Sequence, residues 1–176
     1  MKASVLFSQA LAFAAEKHKK QTRRDKITPY IYHPIRVAEL VRDAGYGVRY
    51  QVVALLHDVL EDTKTTDEEI MVFGEDIYEA VKLLTRPDGM DEEEYLRRIL
   101  KNPMAAIVKA ADKIHNMQEA AICEDKEWAQ RYIAKSKKYY YGKFNQAVDD
   151  AIYKASVSTD EDSVKYDFQA AMILYK

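Results

Sequence analysis

Residues 54–63 read ALLHDVLEDT, and they place four polar side chains inside an apolar run. The pattern predicts one helix over about 49–61. With about 100° between successive residues, the polar side chains fall within an arc of about 140°. They are His57, Asp58, Glu61 and Asp62. The apolar side chains occupy the other side: Val52, Val53, Leu55, Leu56, Val59 and Leu60. The helix is therefore predicted to be buried on one side, with its polar groups gathered on the other.

The polar side of this helix is unusually acidic. Its three carboxylates repel one another, and no Lys or Arg stands at i+4 to relieve the repulsion. A divalent cation would relieve it. The alternative interpretation is the solvated face of an ordinary amphipathic helix.

A metal site needs further ligands, and two residues elsewhere in the chain are candidates. His33 directly precedes Pro34, which starts a helix, and Asp112 lies among Ala, Ile and Val. Two imidazoles and two carboxylates suit Mn, Fe or Zn better than Ca or Mg. Taken singly, His33 also fits a structural role. Asp112 also fits a surface salt bridge near Lys109 or Lys113.

Helical signals extend along almost the whole chain, so the predicted fold class is all-α, with one compact helical bundle. Pro34 and Gly45 bracket a helix over about 34–44. In the first helix, the residues predicted to face the core are Phe7, Leu11, Ala14 and His18. Further helices are predicted from Thr66 to near Gly74, over about 75–85, after Asp91, from Pro103, after Asp125 and after Thr159.

Composition restricts the classes of partner. The 27 basic and 29 acidic residues give a net charge of −2, which argues against a nucleic-acid polymer. No apolar run reaches the length of a membrane span, so no membrane partner is expected. The single cysteine, Cys123, excludes an internal disulfide and predicts a cytoplasmic location. The composition does not predict an oligomeric state.

Three motifs together resemble a known family. They are TPYIYHP at 28–34, ALLHDVLEDT at 54–63 and KAADKIHNM at 109–117. Their order is similar to that in the hydrolase domain of RelA/SpoT-type HD-domain phosphohydrolases and in the small stand-alone alarmone hydrolases. The resemblance covers about 3–150, and it implies a single HD domain over 1–176 with a helical extension at about 151–176. It implies metal-dependent removal of the 3′-pyrophosphate from guanosine tetra- and pentaphosphate.

The resemblance also implies a role for each site residue. The implied metal ligands, for Mn²⁺ or another divalent transition metal, are His33, His57, Asp58 and Asp112. Glu61 and Asp62 are the implied catalytic acids: they either accept a proton from the attacking water or orient the ligands. The implied nucleotide contacts are Arg23, Arg24, Asn116 and Tyr132. His18 and His115 are predicted to be non-ligands.

Two stretches differ from the family pattern. The segment between Arg24 and His33 is short, and it lacks the usual glycine before TPY. The stretch DGMDEEEY at 88–95 is more acidic than is typical there. Because both stretches help to shape a nucleotide pocket, two alternatives stay open. One is an HD phosphohydrolase for another nucleotide or phosphate ester, and the other is a non-catalytic nucleotide-sensing module.

Overall fold

The computed structural model describes residues 2–157, and it confirms the all-α fold class. Across these residues the only β feature is an isolated bridge between Thr22 and Pro29. The helices are α1 (Ala3–Lys17), α2 (Tyr32–Asp43), α3 (Val48–Leu56), α4 (Val59–Asp62), α5 (Asp67–Met71), α6 (Glu75–Leu84), α7 (Glu92–Ile99), α8 (Pro103–Ile122), α9 (Lys126–Tyr140) and α10 (Gln146–Val157). The helix predicted after Thr159 lies outside the described residues. None of the described helices is long and apolar enough to cross a membrane.

The chain divides into two compact units, Met1–Lys109 and Ala110–Lys176, with the boundary inside α8. In the first unit, α3 packs against α1, α2 and α6. Residues 52–56 of α3 are fully buried, so this helix forms the centre of the first core. In the second unit, α9 packs against α10. The single domain over 1–176 stays a prediction.

The predicted helix over 49–61 is not continuous, because α3 ends at Leu56 and α4 begins at Val59. Asp58 has φ −101° and ψ −5°, which is outside the regular helical range. The His57 Nδ1 lies 2.7 Å from the carbonyl oxygen of Ala54, the oxygen that a continuous helix would offer to the N–H of Asp58. The imidazole therefore competes with the helix for this acceptor. The arc predicted for one continuous helix therefore does not apply to all four polar residues.

The N-terminal helix also differs in detail from its prediction. Its buried residues are Leu6, Ala10 and Ala14, which repeat every four positions, and His18 follows in the same register. Phe7 and Leu11 are only half-buried. At the start of α1, the buried row therefore runs through Leu6 and Ala10, one residue earlier than the predicted Phe7 and Leu11.

Side-chain caps fix several helix starts as the sequence predicts. Thr66 and Glu69 form a capping box at α5. Asp91 accepts hydrogen bonds from the backbone N–H groups of Glu93 and Glu94 at the start of α7. Asp125 accepts one from Trp128 at the start of α9. These caps supply acceptors for N–H groups that have no partner within the helix.

Candidate metal centre

The first unit brings three of the four predicted ligands together. His33 is the second residue of α2, whereas His57 and Asp58 form the turn between α3 and α4. One ligand atom from each lies within 4.8 Å of the others. The Asp58 Oδ2 is 3.0 Å from His57 Nε2 and 3.6 Å from His33 Nε2. Both imidazoles are buried, so the two nitrogens and the carboxylate meet at the edge of the core.

The hydrogen bonding of His57 suits a metal ligand. A carbonyl oxygen only accepts, so His57 Nδ1, at 2.7 Å from the Ala54 oxygen, carries the hydrogen. In the neutral ring, Nε2 then presents its lone pair on the side of Asp58. Metal-binding histidines usually have this arrangement, with the second ring nitrogen donating to a carbonyl or a carboxylate. Two imidazoles and one carboxylate are a donor set for a borderline divalent ion, so the residues present fit the predicted metal.

Tyr30 belongs to the same cluster, although the sequence did not single it out. Its hydroxyl lies 2.6 Å from Asp58 Oδ2 and 3.1 Å from Asp62 Oδ2. Burial and the negative charge of Asp58 raise the pKa of the Tyr30 hydroxyl far above its usual value, so it remains a donor. The available signal was its position in TPYIYHP, three residues before His33.

Glu61 and Asp62 lie at the solvent-exposed edge of this cluster. Partial removal from water raises the pKa of both carboxyls, and the charge of Asp58 raises each further. The Arg86 backbone N–H donates to Glu61 at 3.1 Å and offsets part of this effect. Within residues 2–157, neither carboxylate forms an ion pair with a Lys or Arg side chain. Two exposed carboxylates with raised pKa values are suited to accept a proton from water or substrate.

Asp112 lies in the second unit, on α8. It is buried, so the alternative of an exposed salt bridge is wrong. Asn116, one turn later, donates a hydrogen bond from Nδ2 to Asp112 Oδ1. This bond shows that the two side chains share one face of the helix. The roles of Asp112 as fourth ligand and of Asn116 as nucleotide contact stay predictions.

Tyr132 lies in an aromatic and cationic cluster of the second unit. Its hydroxyl accepts a hydrogen bond from Lys113 Nζ at 3.0 Å, and its ring stacks on Trp128 at a centroid distance of 5.1 Å. The Lys113 ammonium also lies 3.9 Å from the ring centroid of Tyr140. These contacts hold the ring of Tyr132 in place. Its contact with a nucleotide stays a prediction.

The basic loop at 17–29 is a folded turn. Asp25 accepts hydrogen bonds from the backbone N–H groups of Ile27 and Thr28, at 2.9 and 2.8 Å. The guanidinium carbon of Arg23 lies 5.3 Å from the ring centroid of Tyr30, which brings Arg23 beside the cluster. Arg24 is exposed. The nucleotide contacts of both arginines stay predictions.

The two remaining histidines are buried outside the triad. His18 is 1% exposed, and its ring centroid is 4.8 Å from that of Tyr30. His115 is 4% exposed and lies on α8. Neither belongs to the cluster of candidate metal ligands found within residues 2–157.

Comparison with known proteins places these residues in a family. The HD domain family matches residues 10–148. The chain is 37% identical over 140 residues to the Xenopus tropicalis guanosine-3′,5′-bis(diphosphate) 3′-pyrophosphohydrolase MESH1, covering 74% of this chain and 78% of that protein. It is 36% identical over 134 residues to the human protein of the same name, covering 71% and 75%.

Two further comparisons extend this result. The GTP pyrophosphokinase rsh of Brucella suis is 35% identical over 134 residues, which cover 69% of this chain and only 18% of that protein. A solved structure described as a metazoan ortholog of SpoT that hydrolyzes ppGpp superposes with a TM-score of 0.68 at 26% identity, covering 85% of this chain and 93% of the other. With the His33, His57 and Asp58 triad inside the matched residues, the chain belongs to the HD domain family.

Proposed function

We propose that this protein hydrolyses the 3′-pyrophosphate of guanosine tetra- and pentaphosphate with the help of a divalent metal. The observation that carries the proposal is the His33–His57–Asp58 triad, with both imidazoles buried, beside two solvent-exposed carboxylates with raised pKa values. It occurs in a chain that is 36–37% identical to named 3′-pyrophosphohydrolases over most of their length. The likeness to those relatives supports the substrate, and the triad supports the chemistry.

In this proposal His33, His57 and Asp58 hold the metal, with Asp112 as the fourth ligand. A divalent metal bound there lowers the pKa of water and offsets the charge of the phosphoryl group. We propose Mn²⁺ as the metal, because the two-nitrogen, two-carboxylate set suits it and other divalent transition metals. The cytoplasmic location stays a prediction from the single cysteine.

One of the two carboxylates, Glu61 or Asp62, accepts the proton of the attacking water. The water oxygen forms a bond to the phosphorus that carries the ribose 3′ oxygen, and the bond between this phosphorus and the 3′ oxygen breaks. The carboxyl that took the proton returns it to the 3′ oxygen, and pyrophosphate is released. A carboxyl with a raised pKa is a stronger base than an ordinary one, which favours the first proton transfer.

Four residues are the proposed nucleotide contacts. Arg23 lies against Tyr30, where its planar guanidinium suits both a purine face and a phosphate. Arg24 extends the same basic loop. Asn116 and Tyr132 are proposed contacts from the second unit.

A nucleotide panel with Mn²⁺ tests the proposal. We expect release of pyrophosphate from guanosine tetra- and pentaphosphate, and none from GTP, GDP or ATP. An adenosine nucleotide with the same 3′-pyrophosphate tests separately whether the protein distinguishes guanine from adenine. Turnover of another phosphate ester alone would indicate a different HD phosphohydrolase, and calorimetric binding without product would indicate a sensing module.

A further inference from the structure

Gln21 links the basic loop to the end of α4. Its side-chain Nε2 donates to the backbone carbonyl of Asp62 at 2.7 Å, and its Oε1 lies 2.6 Å from His18 Nδ1. Its own backbone carbonyl accepts from the N–H of Tyr30 at 3.0 Å. One residue therefore holds the main chain of Asp62 and the main chain of the tyrosine that contacts the Asp62 carboxylate.

The hydrogen bonds fix the orientation of the Gln21 amide. A flipped amide would set its carbonyl oxygen against the carbonyl of Asp62, and two acceptors repel. In the unflipped orientation Oε1 faces the imidazole, so His18 Nδ1 must donate. His18 Nε2 is then buried with no hydrogen-bond partner among residues 2–157. Among the described residues, the hydrogen bonding of the His18 ring is therefore confined to Nδ1 and Gln21.

The end of α4 needs such an anchor. This helix has four residues, Val59–Asp62, so it is a single turn with little stability of its own. The last carbonyls of a helix have no partner within it, and Gln21 supplies one for Asp62. The Asp62 N–H donates to the Asp58 carbonyl at 2.9 Å, so this turn also connects the candidate base to a candidate metal ligand.

We propose that Gln21, held by His18, is a positioning residue that sets the Asp62 carboxylate beside Tyr30 and Asp58. The inference rests on the hydrolase function proposed above. It gives the basic loop a second role besides contact with the nucleotide, because the loop then also aligns the catalytic acid.

The test is Gln21→Leu, which removes both side-chain hydrogen bonds at similar size. Gln51→Leu is the matched control, since Gln51 Nε2 also donates to a backbone carbonyl, that of Tyr46 at 3.0 Å, away from the site. Because misplacement of a reacting group by about 1 Å costs about 100-fold, we expect kcat of Gln21→Leu to fall by about 10- to 100-fold. KM and metal content should stay near wild type, and Gln51→Leu should retain its kcat.

A double-mutant cycle separates positioning from general damage. In an Asp62→Asn background, Gln21→Leu should cost almost nothing further, since the group that it positions is already gone. An equal loss of kcat in both backgrounds overturns the proposal, as does an unchanged kcat in Gln21→Leu alone.

Hydrogen exchange tests the proposal without any substrate. The α4 amides should exchange faster in Gln21→Leu than in Gln51→Leu, because the end of the helix loses its anchor. Equal exchange in the two variants overturns the positioning role. If the wild-type protein fails on the nucleotide panel while α4 exchange does respond, the proposed substrate is wrong and the positioning role stands.

Discussion

The acidic side chains of α5 and those around α4 lie close together in the sequence, but they meet different neighbours. At α5, Asp67 pairs with Lys82 at 2.8 Å, and Glu69 pairs with Lys17 at 2.6 Å. These cations are the main reason why the pKa values of both carboxyls fall below their usual range. The protein thus neutralises the α5 acids with its own side chains.

Around α4, the pKa values of the same residue types shift in the opposite direction. Burial and the charge of Asp58 raise the pKa values of Glu61 and Asp62. Burial around α4 and partner cations at α5 together explain the contrast in pKa values. The α4 acids and Asp58 form a cluster whose negative charge suits a bound metal.

Loss of the metal is the largest effect expected. His57→Ala or Asp112→Ala should leave the purified protein without bound metal, whereas the α5 variant Asp67→Asn should keep it. Mn²⁺ at about 100 times its Kd should stabilise the wild type by about 2.7 kcal/mol and leave His57→Ala unchanged. Elemental analysis and thermal unfolding with and without Mn²⁺ check both expectations. A wild-type protein that binds no metal after refilling with Mn²⁺ would contradict the contrast between the clusters.

Variants of the basic loop test whether an arginine of this loop, and not a metal, neutralises the acids around α4. Arg23→Ala and Arg24→Ala should raise KM by about 2- to 30-fold, the loss expected for a cation stacked on a ring, with kcat little changed. Lys20→Ala is the control, because Lys20 is exposed on the same loop. If Arg23→Ala lowers metal content and leaves KM unchanged, the arginine belongs to the acidic cluster and not to the nucleotide contacts.

The smallest effects are on the stability of the metal-free protein near pH 7. A raised native pKa means that Glu61 contributes stability at low pH and loses it as the pH rises through that pKa. Glu61→Gln should therefore raise the Tm. Glu69 has a lowered pKa and stabilises above its unfolded value of about 4.3, so Glu69→Gln should lower the Tm. Thermal unfolding in chelator measures both, and shifts of the same sign would contradict the comparison.

The sequence predicted features that depend on local patterns. Caps at Thr66, Asp91 and Asp125 mark helix starts because their side chains satisfy N–H groups within three residues. The turn at His57–Asp58 escaped prediction, because it depends on an imidazole that takes the Ala54 carbonyl. The continuous apolar pattern gave no sign of this competition.

The parts of the site that were missed depend on contacts distant in the sequence. Gln21 and Tyr30 reach Asp62 across 41 and 32 residues, and neither has a helical or capping pattern to mark it. His33, His57 and Asp58 were predictable as a set because their types suit one metal, but their convergence needed the packing of α2 against α3. The relation of Asp112 to them stays a prediction for the same reason.

We expect Glu61 and Asp62 to act as proton acceptors and not as metal ligands. The most direct test is the double variant Glu61→Gln, Asp62→Asn, which keeps the side-chain shapes and removes both charges. We predict wild-type Mn²⁺ content, little change in KM, and a kcat for pyrophosphate release from guanosine tetraphosphate that is lower by about 10²–10⁴-fold, the usual cost of losing a general base. A double variant with full metal and nearly full kcat would show instead that the acid pair is structural.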